Sequence, residues 1–156
     1  MRTQMAIAAA CVLAITATAS AANGGSDRQL RAALAHVAKQ CPTYGKAVNR
    51  SVWQRGWTFN ALYGDCLGNH DGRVWLFVHG RYVGLDSKHP SGEIISLWRD
   101  LNTIALLYVL YRPSDPMCCA TGGGSVVRYR WTGKRVIRLD PLPPRTATRR
   151  RPGRYP

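Results

Sequence analysis

The stretch Ile104-Ala-Leu-Leu-Tyr-Val-Leu-Tyr-Arg112 decides how the chain is read. It continues as Asp115-Pro-Met-Cys-Cys-Ala-Thr-Gly-Gly-Gly124 and then as Val126-Val-Arg-Tyr-Arg-Trp-Thr-Gly-Lys-Arg-Val-Ile-Arg-Leu-Asp-Pro141. Ile104 to Tyr111 is apolar at every alternate position in both phases, so it predicts a strand buried on both faces. Its β-branched and aromatic content favours strand over buried helix, and Asn102-Thr103 and Arg112-Pro113 bound it. Val126 to Leu139 predicts a hairpin turning at Thr132-Gly133, where glycine supplies a positive φ. That register sets Arg130 opposite Arg135, with Val127, Tyr129, Trp131 and Val136 on one face and Arg128, Arg130 and Arg135 on the other. Like charges directly opposite repel, so the arginine face is either well solvated or held by an anion.

Outward from this centre, the chain has 156 residues and a formal charge of +14. Residues 1–22 read as a secretory signal: Arg2, an apolar run from Met5 to Ile15, and small residues for cleavage after Ala21 or Ala22. That run is too short for a transmembrane span, which needs about 20 apolar residues. Cys11 lies inside the run, with no complete apolar region before it, so it is expected to be lost with the signal. Residues 23–144 form a single domain by length. Residues 145–156 are expected to be a disordered basic tail carrying Arg149, Arg150 and Arg151, with little to bury.

The mature part keeps Cys41, Cys66, Cys118 and Cys119, and an even count in an exported chain favours disulfides. Neighbouring cysteines can bond only through a strained ring. The expectation is therefore that Cys118 and Cys119 each reach a different partner, Cys41 or Cys66, at about 2–4 kcal/mol per bridge.

In chain order, Ser26 or Asp27 can cap a helix running to about Lys39, with Leu30, Ala33, Leu34, Val37 and Ala38 on one face. Cys41-Pro42 stops it. Tyr44 to Arg55 is a linker of undecided structure. Trp57–Cys66, Arg73–Val78 and Arg81–Leu85 read as strands, the last two joined by a His79-Gly80 turn. Glu93–Leu101 is a short strand or a helical turn. The fold class is α+β: an N-terminal helix on a small, mostly antiparallel β-meander, linked by disulfides.

Chemistry-bearing motifs are sparse. Asn69-His70-Asp71-Gly72 is a partial calcium-loop pattern without its flanking carboxylates, and a plain turn is the better reading. His36, His70, His79 and His89 lack zinc-ligand spacing. No metal, cofactor or catalytic residue is assigned. A ribonuclease-like secreted hydrolase is the enzymatic alternative, and it needs a paired acid and base. Histidine and carboxylate converging in one cleft would favour it; an arginine face without a pocket would favour a binding module. Thr121-Gly-Gly-Gly124 could form an anion nest, but glycines permitting a tight return to Val126 read better. Of the five tryptophans, most belong to the core, and Trp53 is the one least expected to be buried.

Asp115-Pro-Met-Cys-Cys-Ala-Thr-Gly-Gly, the hairpin after it, Leu139-Asp-Pro-Leu-Pro-Pro144 and His79-Gly-Arg-Tyr-Val-Gly84 resemble the LppP/LprE family of bacterial envelope lipoproteins. The likeness covers Trp57 to Pro144. It implies export and an envelope location, without an established activity. The chain lacks a lipid-attachment motif. The reading that follows is an exported, non-enzymatic binding module for anionic lipid or cell-wall polymer, with no specific nucleic acid. The anion-binding candidates are Arg128, Arg130, Arg135, Arg149, Arg150 and Arg151.

Overall fold

The computed structural model describes residues 16–41, 48–50, 52–66, 72–116 and 118–148, with backbone alone for 16–26. The signal core at Met5–Ile15, the turn at Asn69–Asp71 and Arg149–Arg151 lie outside them.

Helix α1 spans Thr16–Gln40. Strands follow at β1 Phe59–Asp65, β2 Gly72–Val78, β3 Arg81–Leu85, β4 Ile94–Arg99, β5 Thr103–Val109, β6 Gly124–Trp131 and β7 Val136–Arg138. A short α2, Arg145–Thr148, ends the described chain. The strands form two antiparallel sheets, β1-β2-β3 and β4-β5-β6-β7, each in sequence order. The α+β class with a disulfide and a meandering chain is as expected; the division into two sheets is not in the sequence reading.

The first sheet is the middle layer. One face gives Phe59, Ala61, Val74, Leu76 and Val78 to a core shared with Ile104, Leu106, Tyr108, Val127 and Tyr129 of the second sheet. The opposite face gives Leu62, Trp75 and Phe77 to a core shared with Ala33, Val37 and Cys41 at α1. Strands β1 and β2 are therefore both buried on two faces. In β5, Ile104, Leu106 and Tyr108 face inward and are buried, whereas Leu107 and Val109 are half-buried on the outer side. On that outer side Thr103 and Ala105 are buried, so the expected burial on both faces holds for the first half of β5, while Ile95, Trp98 and Val126 stand exposed on the strands beside it.

Several expectations are corrected. The helix starts at Thr16 rather than at Ser26 or Asp27: the alanine-rich run before Asn23 favours helix, and the helix continues through Gly24 and Gly25 despite their cost of about 1 kcal/mol each. Its packing face is Leu30, Ala33, Leu34 and Val37, while Ala38 is exposed. Trp53 is buried, edge-on to Phe77 at 5.6 Å. Glu93–Leu101 resolves as strand β4. The His79-Gly80 turn forms as expected, with φ of 49° and 76°, and Val78 pairs with Arg81 across it.

The last hairpin turns one residue later than expected. Trp131 pairs with Val136 and Arg130 with Ile137, and Gly133 has φ 87°. The Thr132 hydroxyl accepts from the amides of Lys134 and Arg135, which stabilises this later turn. The faces are kept, since the pairing moves by an even number of residues, but the Arg130–Arg135 opposition disappears.

The tail expectation is corrected for residues 145–148. They form α2, tied down by the Gly92 amide donating to the Thr148 carbonyl at 2.6 Å and the Tyr111 amide donating to the Ala147 carbonyl at 2.7 Å. Backbone pairing to the sheet edge orders a segment that has few apolar side chains of its own.

The disulfide expectation is overturned. Cys41 is bonded to Cys66, with Cα atoms 4.9 Å apart, and Cys118 is bonded to its neighbour Cys119. Layering is the reason. Cys41 ends the helix on one side of the first sheet; Cys118 and Cys119 lie in the β5–β6 loop of the second sheet, on the other side. The loop is held by Asp115, whose carboxylate accepts from the Arg112 amide, the Thr121 amide and the Thr121 hydroxyl at 2.7, 2.7 and 2.6 Å. The glycines after it serve the close return: a Cβ on Gly122 would come within 2.5 Å of the Leu110 carbonyl oxygen.

Candidate functional site

A pocket of about 560 Å³ opens where the segment after β3 meets β7 and α2. Its floor is set by Asp86. The chain leaves β3 at Leu85, and the Asp86 amide donates to the Val74 carbonyl at 2.9 Å. The carboxylate turns inward, where Oδ1 accepts from the Val74 amide at 2.9 Å. Asp86 is 5% exposed, a rare position for an unpaired acid.

Two tyrosines of the second sheet complete the floor. The Tyr108 hydroxyl lies 2.6 Å from Asp86 Oδ2 and 3.0 Å from the Tyr129 hydroxyl. The Tyr129 hydroxyl donates to the Asp86 carbonyl at 2.8 Å. Tyr108 thus donates to the Asp86 carboxyl group, and Tyr129 closes the ring onto the Asp86 main chain. Burial drives the Asp86 pKa up, against the lowering effect of the hydrogen bonds from Tyr108 and Val74. Burial likewise raises Tyr108, aided by the Asp86 charge, and raises Tyr129 to about 12. The ring is thus a buried polar network in which burial shifts each group toward its neutral form.

The upper walls are different. Tyr82, Leu85, Pro90, Leu142 and Pro143 make them largely apolar, and Lys88, Arg138 and Arg145 stand at the rim with His89. Among the described residues, Lys88, Arg138 and Arg145 take part in no ion pair. Among the described residues, Asp86 is the only carboxylate lining the pocket. The arrangement is a cation-rimmed apolar recess over a floor without an exposed negative charge.

The residues expected to bind anions are elsewhere. Arg128 is engaged by Asp140: Nε and Nη2 each donate to a carboxylate oxygen at 2.8 Å. This contact raises the Arg128 pKa and lowers that of Asp140 to about 2. Arg130 lines a shallow cleft with Asp100 and Trp131, and Arg135 is exposed in the final turn. The three occupy the outward face of the second sheet without converging on a pocket. The sequence reading missed Lys88, His89, Arg138 and Arg145, which three separate segments bring together. The polar loop after β3 was visible, but its partners were not.

Both signs proposed to separate enzyme from binding module occur in part. Asp86 and His89 line one pocket, yet the Asp86 oxygens are taken up by Val74 and Tyr108. Among the described residues no cluster of three His, Cys, Asp or Glu side chains could hold a metal ion. No helix among them is long and apolar enough to cross a membrane.

A family model described as LppP/LprE lipoprotein matches residues 65–134. The matched stretch runs from the end of β1 to the final turn. It includes Asp86, Tyr108, Tyr129 and the Cys118–Cys119 loop, whereas Arg138, Arg145 and α2 lie beyond it. No curated protein and no solved structure matches the chain.

Proposed function

We propose, from the similarity to the LppP/LprE lipoproteins, that this is an exported, envelope-associated, non-catalytic protein that binds an anionic envelope component. The single observation that supports binding is the rim: Lys88, Arg138 and Arg145 surround one pocket without acidic partners among the described residues. Three cations focused on one recess attract an anion more strongly than the same charges scattered over a surface. The tail arginines, Arg149 to Arg151, add positive charge in the sequence directly after Thr148. Near an anionic membrane each basic residue contributes about 1 kcal/mol.

The hydrolase reading keeps one supporting observation, the shared pocket of Asp86 and His89. It is the weaker reading, since a general base needs an accessible oxygen, and both Asp86 oxygens accept from protein groups.

Co-sedimentation tests the binding reading. The mature protein should bind phosphatidylglycerol vesicles and leave phosphatidylcholine vesicles free, with binding weakened by salt. Lys88→Gln/Arg138→Gln/Arg145→Gln should reduce it strongly. Removal of residues 149–156 should reduce it partly; a cut at 145 is unsuitable because α2 is packed. Equal binding to both vesicle types, or no effect of the triple substitution, would show the reading to be wrong.

A further inference from the structure

We infer that the pocket takes an amphiphilic anion, one acidic group joined to an apolar chain, rather than a bare inorganic anion or a polymeric one. This rests on the proposed anion-binding role and adds the chemical class of the ligand.

The first ground is the division of the pocket. Its cations, Lys88, Arg138 and Arg145, are all exposed at the rim, while Tyr82, Leu85, Tyr108 and Leu142 are half-buried or buried below them. A bare phosphate satisfied at the rim would leave the recess beneath it unfilled. A volume of about 560 Å³ lies in the range of pockets that enclose most of a small organic ligand.

The second ground is the floor. An ionised carboxylate under an apolar chain would lose its hydration, at a high cost. Here both Asp86 oxygens accept from protein groups and the residue is only 5% exposed, so the carboxyl group is already out of water and held by partners. An apolar group can therefore rest on Tyr108 without stripping the carboxyl group of hydration. The titratable groups facing this floor are Tyr108 and Tyr129 from the second sheet, Lys88 and His89 from the loop after β3, Arg138 from β7 and Arg145 from α2.

The third ground is the position of the opening. The rim is formed by the loop after β3 and by α2, held together through Gly92 and Thr148. One end of a ligand would meet the cations while the other reaches inward to Tyr108. A long polymer would cross the rim and gain nothing from the recess.

The test is calorimetric titration of the mature protein with octyl phosphate below its micellar concentration, inorganic phosphate and octyl glucoside. Each methylene taken from water multiplies affinity about fourfold. Octyl phosphate should therefore bind at least about tenfold more tightly than inorganic phosphate, even with a few methylenes enclosed. Octyl glucoside, which lacks the charge, should bind more weakly than octyl phosphate. Leu142→Ser should cut octyl phosphate affinity and leave inorganic phosphate unchanged, which also shows that the variant is folded. Equal affinity for octyl phosphate and inorganic phosphate overturns the inference and leaves the anion-binding role standing. Absence of binding to either anion removes both. Octyl phosphate that releases the protein from phosphatidylglycerol vesicles assigns the pocket to a membrane lipid. Binding without release assigns it to a free amphiphile, and either result upholds the inference.

Discussion

Tyr108 and Asp86 meet at 2.6 Å across the interface of the two sheets, one residue from a β5 strand and the other from the end of β3. Their contact joins the second sheet to the first through a polar pair inside an otherwise apolar core. It also fixes the floor of the pocket. Its energetics can be measured without knowing the ligand.

Asp86 makes stability fall as pH rises. Its folded pKa is raised above the unfolded value of about 3.9. The folded state then binds more protons than the unfolded state, so this contribution is complete below about pH 3.9 and is lost as pH climbs toward the folded value. Asp115 and Asp140 have lowered pKa values and act in the opposite sense, but their contributions are fully gained by about pH 5. The wild-type midpoint should therefore decline relative to that of Asp86→Asn as pH rises above about 3.9. A difference between the two proteins that does not change with pH would contradict the raised pKa.

Tyr108→Phe should cost about 1–3 kcal/mol, since it strands the buried Asp86 Oδ2 without a partner. Tyr129→Phe should cost less, because the carbonyl it frees is a backbone group that can take another donor. The double variant should be less destabilised than the sum of the two, as members of one network are not additive. Urea denaturation of the four proteins measures this; strict additivity would mean that the ring is not a cooperative unit.

The bridges should differ sharply in effect. Cys41–Cys66 closes a loop with a sequence separation of 25 and ties α1 to the first sheet. Cys66→Ser should cost about 2–5 kcal/mol. Cys118–Cys119 encloses no length of chain, so Cys119→Ser should shift the melting midpoint only slightly. Non-reducing peptide mapping should recover Cys118 and Cys119 in one peptide two hydrogens lighter than the dithiol. A crosslink from either of them to Cys41 or Cys66 would refute the pairing.

Asp115→Ala should loosen the β5–β6 loop without unfolding the sheets. The Thr121 hydroxyl and amide hold the Asp115 pKa below its ordinary value, so the clamp is present above the unfolded pKa and is lost as acid protonates it. Hydrogen exchange at the Thr121 and Arg112 amides should accelerate in the variant, and in the wild type at low pH. Unchanged protection of both amides would show that the loop is held by other contacts.

The strands were legible because their signals are local. Arg73–Val78 and Arg81–Leu85 flank a His-Gly turn whose geometry follows from two positive φ values, and Val127, Tyr129 and Trp131 alternate as a half-buried strand should. The later turn at Gly133 was not legible, because a two-residue shift in the pairing keeps every side chain on its face. The cysteine pairing was missed because it depends on the layer order, which places a whole sheet between Cys41 and Cys118. Trp53 was missed because its partner, Phe77, becomes available only when α1 covers the first sheet. The pocket was the least visible feature. Lys88, Arg138 and Arg145 share no period or motif, and only the folding back of α2 brings them to one rim.

The strand order also has a kinetic side. Every strand in both sheets pairs with its neighbour in sequence. Each hairpin can therefore close on its own neighbour, the longest connection being the 110–123 loop between β5 and β6, before any distant segment arrives, the arrangement that loop-closure entropy favours for speed. The slow encounter should be the face-to-face meeting of the two finished sheets. A chain that must begin folding again on the far side of a membrane would gain from this order, because its pieces need no partner from elsewhere in the sequence until the last step.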